Sequence, residues 1–192
     1  KTLNMDMLRT FFEKSAEDTS VYFRNKKIWT QGEAYTKHQG KYPVIFLSFK
    51  DANKLSWEEL YARLIETIRD EFFRHSALKD SEKISNPDFY KRIISGEATQ
   101  AECSISILRL SRMLREHYGQ RVILIIDEYD TPIQAGYING FYDEAIQFIR
   151  DLFSSALKDN DNLEYGFLTG ILRVAKESIF SGLCIFGVRR KI

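Results

Sequence analysis

The most constraining feature of this sequence is the segment of residues 122–130, VILIIDEYD, in which five aliphatic residues run directly into two acids. A continuous apolar run rich in Val and Ile is typical of a strand buried on both faces of a parallel sheet. In open α/β sheets, ligands bind at the carboxyl ends of such strands. The segment therefore predicts a central strand with Asp127 and Glu128 at a functional edge. A buried strand that leaves the core through a charged turn fits the same pattern.

Two successive acids at the end of a strand can divide the work of phosphoryl transfer. Asp127 would hold Mg²⁺ through its water shell, and Glu128 would orient or deprotonate the attacking water. Asp130 closes the segment DEYD. A third acid directly after the turn is more typical of a solvated residue, or of one that caps the segment Thr131–Pro132, than of a catalyst.

The first two residues, Lys1 and Thr2, support a phosphate-binding interpretation of this strand. They open an amphipathic stretch, and Lys-Thr at the start of a helix is how the motif G-x-x-x-x-G-K-[ST] ends. In that motif the Lys reaches the β and γ phosphates and the hydroxyl coordinates Mg²⁺. The glycines of the motif and the strand before it are not part of this sequence. The pair therefore gains its meaning only from the acid-tipped strand that follows.

Composition indicates a globular domain and argues against two classes of partner. The 192 residues are 44% hydrophobic and 14% aromatic, which is enough for a core. With 28 basic and 27 acidic residues the net charge is +1, so no global field attracts nucleic acid or an anionic membrane. No apolar run approaches the roughly 18 residues that span a bilayer. Cys103 and Cys184 are expected as reduced thiols of a cytoplasmic protein, and the three histidines as surface residues.

Strand and helix patterns alternate along the chain, which predicts an α/β fold in three layers. Ser56 and Glu59 form a candidate capping box. The predicted strands cover about 44–49, 122–127 and 164–172, and the predicted helices about 3–13, 56–72, 89–94, 101–118, 142–157 and 175–180. Between Pro132 and residue 142 the pattern indicates a glycine-bearing loop.

The sequence resembles the bacterial AAA-ATPase-like family, and the resemblance runs from Lys1 to about Leu183. It is carried by KTL at 1–3, YPVIFLSFKD at 42–51 with SWEEL at 56–60, LIIDEYDTPI at 124–133 and LTGILRVAKESIFSGL at 168–183. Members look like P-loop ATPases, often followed by a nuclease domain of the PD-(D/E)xK type. The resemblance implies a three-layer P-loop-like parallel sheet with helices on both faces, lacking the strand and glycine loop before Lys1.

The resemblance also adds two candidates near the third strand. Thr169 would sense the γ phosphate or hold the attacking water, or it is a buried Thr bonded to a nearby carbonyl. Arg173 would stabilise charge on the transferring phosphate, or it pairs with a surface carboxylate. With ATP and Mg²⁺ as expected cofactors, the predicted site consists of Lys1 and Thr2 on the phosphates, Thr2 and Asp127 on the metal, and Glu128, Thr169 and Arg173 in catalysis.

The end of the chain departs from the family pattern. After SGL, members usually continue with two asparagines and a hydrophobic strand, whereas this chain reads CIFGVRRKI. Residues 1–183 are therefore expected to form a partial AAA-ATPase-like domain, and residues 184–192 a divergent tail. The strand that would lie beside the third strand is missing, so we expect that strand to have an unpaired edge unless residues 184–188 fill it.

The predicted function is ATP binding and Mg²⁺-dependent hydrolysis, which regulates an attached nuclease-like domain in the parent protein. The only contact with nucleic acid would be through that domain, and no membrane partner is expected. A piece that lacks the phosphate cradle should be weak or inactive as an enzyme. The competing interpretations are a non-catalytic module that responds to nucleotide, and a nucleic-acid-binding domain that would require a basic stripe.

Overall fold

The computed structural model describes residues 2–170, so Lys1 and residues 171–192 lie outside the described part of the chain. A parallel three-stranded sheet forms its centre, with the order β1 (Val44–Ser48), β2 (Val122–Asp127) and β3 (Leu163–Leu168). Strand β1 pairs with β2 from Val44↔Ile123 to Ser48↔Asp127. The predicted α/β class with a parallel sheet is confirmed.

The helices surround this sheet and were predicted with mixed success. The segment 142–157 is helical as expected, whereas one helix expected over 101–118 is divided in two. The α-helices are α1 (Thr2–Phe12), α2 (Lys27–Thr30), α3 (Glu33–Thr36), α4 (Trp57–Arg74), α5 (Pro87–Ser95), α6 (Gln100–Ser104), α7 (Ser106–Tyr118), α8 (Thr131–Asn139) and α9 (Tyr142–Leu157). None of these helices, within the described part of the chain, is long and apolar enough to cross a membrane.

Strand β2 is buried along its whole length, because helices pack on both of its faces. All six of its residues are buried. Leu124 and Ile126 belong to the large core that α4, α7 and α9 also line, whereas Ile123 and Ile125 pack with Met5 of α1 in a second, smaller core. Burying an aliphatic side chain stabilises a fold by about 1.5–3 kcal/mol. The predicted three-layer arrangement is confirmed in this form.

Serine side chains explain why the helix predicted over 101–118 is interrupted at Ile105. The Ser104 hydroxyl donates to the Ala101 carbonyl, and the Ser106 hydroxyl donates to the Cys103 carbonyl. Such local bonds compete with the helical pattern. The capping box predicted at Ser56 is also wrong in part. Ser56 accepts from the Glu59 N–H as expected, but the Glu59 carboxylate accepts from Leu55.

The loop predicted after Pro132 is wrong, because residues 131–139 form α8. Pro132 lies in the first turn of this helix, and Gly140 ends it with φ of 83° in the left-handed region. Gly136, which contributed to the loop prediction, instead allows α8 to pack closely against α9. A Cβ there would lie 2.9 Å from the Cβ of Ala145 on α9.

Two side chains of α4 close the outer edge of β1. The Phe46 N–H donates to the Glu71 carboxylate at 2.9 Å, and the Arg74 guanidinium donates to the Val44 carbonyl. These groups replace a neighbouring strand, which protects the edge from pairing with another chain. Strand β3 has β2 as its partner strand among the described residues, as expected. Residues 184–188, the segment considered for its other edge, lie outside the described part, as does the final helix predicted over 175–180.

The surface position expected for the histidines is wrong for His75, which is 8% exposed. Its Nε2 lies 3.1 Å from the Glu71 carboxylate, and Arg74 donates to the same carboxylate. Burial by itself raises the pKa of Glu71, but the hydrogen bonds and charges of His75 and Arg74 outweigh it, so the pKa is lowered. Glu71 is therefore ionised in the fold and joins α4 to β1. Cys103 is a free thiol, as expected.

We predict that Glu71→Gln destabilises the fold in a pH-dependent way. A carboxyl with a lowered pKa contributes stability above its unfolded value of about 4.3 and loses that contribution as the pH falls further. The variant should lose about 2–3 kcal/mol of unfolding free energy at pH 7, because Arg74 and His75 lose a buried anion. Urea unfolding should show this difference shrinking from pH 5 to pH 3. Glu66→Gln, in an exposed pair with Arg63, is the control and should change stability by about 0.5 kcal/mol or less.

Candidate functional site

The candidate site is centred on Asp127, the last residue of β2, whose side chain is 0% exposed. Its Oδ2 accepts a hydrogen bond from the Thr2 hydroxyl at 2.7 Å. Its Oδ1 accepts one from the Thr169 hydroxyl at 2.5 Å. A buried carboxylate needs such partners, because leaving water without them is costly. Three residues predicted from distant parts of the sequence are therefore in direct contact.

Packing of α1 places Thr2 at the carboxyl edge of the sheet. Thr2 is the first residue of α1, and Met5 of the same helix packs on Val44, Ile123 and Ile125. The amino terminus of α1 therefore lies at the end of β2, where its free N–H groups and helix dipole favour negative charge. This is the geometry expected of a helix that begins at the end of a phosphate-binding loop. Lys1, the other residue predicted to contact phosphate, lies outside the described part.

Thr169 is held in place by its own backbone, beyond the end of β3. Its N–H donates to the Ile126 carbonyl at 2.9 Å, and its carbonyl accepts from the Tyr129 N–H at 3.0 Å. The ladder between the last two strands thus continues past Leu168. Its hydroxyl meets the Asp127 carboxylate and not a carbonyl, which was the alternative interpretation. Arg173, the other sensor candidate, lies outside the described residues.

Glu128 differs from Asp127 in both backbone and environment. Its φ of 55° is in the left-handed region, which non-glycine residues adopt at a cost. Its side chain is half-buried, and no residue in the described part hydrogen-bonds to its carboxylate. The Glu128 carbonyl accepts from Thr131, and the Tyr129 N–H is bonded to Thr169. Backbone hydrogen bonds therefore hold the turn after Glu128, whereas the Glu128 carboxylate stays available to a ligand.

The expectation that Asp130 is solvated is wrong, although Asp130 does occupy the N-cap position of α8. Asp130 is 1% exposed, and its side chain makes no capping bond to α8. It accepts from the Gln134 side chain at 2.8 Å. Gly170 passes so close that a Cβ there would lie 2.6 Å from Asp130 Oδ1 and 2.7 Å from Tyr129 Cε1. Asp130 is thus buried between the turn after β2 and the chain leaving β3.

Tyr129 shares this enclosed position and packs against the large core. Burial raises the pKa of its phenol, and the neighbouring charge of Asp130 raises it further. The phenol is therefore neutral at physiological pH. Tyr129 thus joins the turn after β2 to the large core.

Sequence reasoning missed Ser48, the last residue of β1. Ser48 is the register partner of Asp127 on the neighbouring strand. Its Oγ is buried and has no hydrogen-bond partner among the described residues. The available signal was a small polar residue at the end of the apolar run VIFLS, at the same edge as the two acids.

The oxygen groups of this edge fit Mg²⁺ better than a metal held by protein side chains alone. The described residues contain no cluster of three His, Cys, Asp or Glu side chains that could enclose an ion. Mg²⁺ prefers one or two carboxylates, hydroxyls and several waters, with phosphate oxygens completing its shell. Thr2, Asp127 and the unpaired Ser48 hydroxyl provide such a set. A surface groove of about 810 Å³ lies along α4, between Lys54 and Arg69, and does not include this edge.

Fold and site together define a class of protein. It is an α/β protein with a parallel sheet, in which a fully buried strand ends in a carboxylate that accepts hydrogen bonds from the first residue of a helix and from the chain just after the neighbouring strand.

Sequence comparison identifies the family within this class. The family described as predicted AAA-ATPase matches residues 1–180, and the chain belongs to that family. An uncharacterized protein in the vnfD 5' region of Azotobacter chroococcum mcd 1 is 33% identical over 87 residues, which are 44% of this chain and 17% of that protein. The chain therefore spans well under two thirds of this relative's length. No solved structure matches.

We predict that Gly170→Ala disturbs the site through Asp130 and Tyr129. The added Cβ would lie 2.6 Å from Oδ1 of the buried Asp130 and 2.7 Å from Cε1 of Tyr129, so unfolding free energy should fall by about 1–3 kcal/mol. Urea unfolding measures the loss. Gly166→Ala on β3 is the matched control, because its Cβ meets the movable end of Leu157 at 3.0 Å. An equal loss in both variants would contradict the special role of Gly170.

We also predict that Glu128→Gly does not destabilise the fold. Glycine adopts the left-handed region freely, so unfolding free energy should stay level or rise by up to about 1 kcal/mol. Asp159→Gly is the control, because Asp159 has a φ of 53° in a turn outside the site. Thermal and urea unfolding of both variants provide the measurement. A clear loss of stability in Glu128→Gly alone would show that the Glu128 side chain supports the fold.

Proposed function

We propose that this chain is the catalytic part of a Mg²⁺-dependent ATPase, which transfers the terminal phosphoryl group of ATP to water. The observation that carries the proposal is the pair of hydrogen bonds from Thr2 and Thr169 to the buried Asp127. A helix amino terminus, an acid-tipped strand and a polar neighbouring strand are the parts that phosphoryl transfer needs for positioning and charge stabilisation. Membership of the predicted AAA-ATPase family supports the same activity.

Each residue receives a separate role in this proposal. Lys1 and the amino terminus of α1 bind the β and γ phosphates, while Thr2 and Asp127 hold the Mg²⁺ and its waters. When bound, Mg²⁺ neutralises phosphate charge and orients the terminal phosphoryl group. Since both Asp127 oxygens already accept threonine hydroxyls, Asp127 acts on the metal through water.

Glu128 is the proposed general base. Its carboxylate is adjacent to the metal anchor but free of the bonds that hold Asp127, so it is available to accept a proton from the attacking water. The Thr169 hydroxyl hydrogen-bonds to Asp127 and would sense the terminal phosphate through that contact. Arg173, four residues further on, would stabilise the charge that develops on that phosphate.

In the full-length natural protein, we propose that hydrolysis regulates an attached nuclease-like domain. The matched relative is several times longer than the shared segment, which leaves room for such a domain in proteins of this kind. Nucleic acid would then be a partner of the attached domain. The small net charge of +1 on this chain supports assigning nucleic-acid binding to the attached domain.

We predict that Glu128→Gln in the full-length natural protein keeps nucleotide binding and loses hydrolysis. Removal of a general base should lower turnover by about 10²-fold or more. Phosphate release measures turnover, and a fluorescent ATP analogue measures binding. Glu144→Gln, at an exposed position of α9, is the matched control and should behave like the unmodified protein.

Two results would contradict the assignment. Unchanged turnover in Glu128→Gln would show that Glu128 is not the general base. A protein that binds ATP tightly but hydrolyses none in its unmodified form would favour a non-catalytic module, in which the nucleotide stabilises one conformation.

A further inference from the structure

Ser48 lies beside Asp127 on the same face of the sheet. Side chains alternate along a strand, and Val44 and Phe46 of β1 contact the smaller core under α1. Ser48 is two positions beyond Phe46 and therefore faces α1 as well. On β2, Ile123 and Ile125 contact the same core, so Asp127 shares this side. The two residues are register partners at the carboxyl edge.

The Ser48 hydroxyl is buried but does not take part in the hydrogen bonds around Asp127. Its Oγ has no partner within the described part of the chain. Both oxygens of Asp127 already accept from Thr2 and Thr169. A buried hydroxyl without a partner costs folding free energy, and Ala would fill the same position without that cost. Ser106 and Ser111, two other buried serines, donate to helix carbonyls and are satisfied.

We propose that Ser48 binds a water molecule of the Mg²⁺ shell and so acts as a positioning residue for the metal. This inference rests on the proposed ATPase function. Mg²⁺ keeps several of its waters when it binds to proteins, and those waters donate strong hydrogen bonds. A serine oxygen next to the anchoring carboxylate can accept one of them. Thr2 and Asp127 would then hold the ion from α1 and β2, and Ser48 would hold its water from β1.

The experiment is a Mn²⁺ titration of the full-length natural protein in the presence of ATP. Mn²⁺ replaces Mg²⁺ as the probe, and the electron paramagnetic resonance signal of the free ion reports binding. Loss of an outer-shell partner typically weakens metal binding by 10- to 100-fold. We expect Ser48→Ala to weaken Mn²⁺ binding by about tenfold, at the lower end of that range. Binding of ATP in the absence of metal should not change.

Three comparison variants separate a metal role from a structural one. Ser48→Thr keeps the hydroxyl and should restore Mn²⁺ binding. Ser111→Ala removes a buried hydroxyl that donates to the Ile107 carbonyl within α7, and it should leave Mn²⁺ binding unchanged. Without ligands, Ser48→Ala should be at least as stable to urea as the unmodified protein, because it loses an unpaired polar group. Asp127→Asn serves as the reference for loss of the metal anchor.

The outcomes distinguish this inference from the proposed function. If the unmodified protein binds Mn²⁺ with ATP and Asp127→Asn does not, but Ser48→Ala binds as well as the unmodified protein, the role of Ser48 is refuted and the ATPase site stands. Destabilised Ser48→Ala with unchanged metal affinity refutes it in the same way. If the unmodified protein binds neither Mn²⁺ nor ATP, the proposed function fails, and the inference fails with it.

Discussion

The buried carboxylate of Asp127 connects the parts of this structure that carry both fold and site. Its two oxygens accept hydrogen bonds from the start of α1 and from the chain just beyond β3, while its backbone belongs to the central strand. Hydrogen bonds to a charged group contribute about 1.5–3 kcal/mol each, and a buried charge without partners would be strongly destabilising. These two hydrogen bonds therefore fix the start of α1 and the chain after β3 relative to β2 at the candidate site.

Among the described residues, the two faces of the sheet carry cores of different size. One face packs on α4, α7 and α9 in the large core, whereas the smaller core on the other face is formed under α1. Thr2 depends on that smaller core for its position, since Met5 is the residue of α1 buried there. The outer edge of β1 needs its own polar closure, which Glu71 and Arg74 of α4 supply. Within the described residues, the site thus lies beside the smaller core under α1.

Sequence patterns predicted the elements that have a simple apolar pattern. The strand at 122–127 was predicted from a continuous apolar run, and the helix at 142–157 from apolar residues at helix spacing. The contact of Thr2 with Asp127 spans 125 positions, and only the phosphate-loop motif suggested it. Periodicity also located Glu71 on α4, but not its hydrogen bond to the backbone of β1, because that bond depends on how α4 packs across the strand.

The misplaced elements share a physical cause, which is tertiary packing that local patterns do not encode. Gly136 suggested a loop, yet it allows α8 to approach α9 closely. Asp130 suggested a solvated turn, yet Gly170 and Gln134 enclose it. His75 suggested a surface residue, yet it supports the buried Glu71. Their burial depends on how separate segments pack, since Gly170 lies against Asp130 and the partner of His75, Glu71, bonds to the backbone of β1.

Two local departures from a satisfied, unstrained structure lie at the carboxyl edge of the sheet. Glu128 has a left-handed backbone, and the Ser48 hydroxyl is buried without a partner in the described part of the chain. Asp159 is also left-handed, but Asp tolerates that region better than Glu does. Asp127, the register partner of Ser48 and the residue before Glu128, accepts a hydrogen bond on each carboxylate oxygen. A rigid anchor with unsatisfied neighbours is what a ligand site requires, because ligand binding then recovers free energy that folding alone leaves unused.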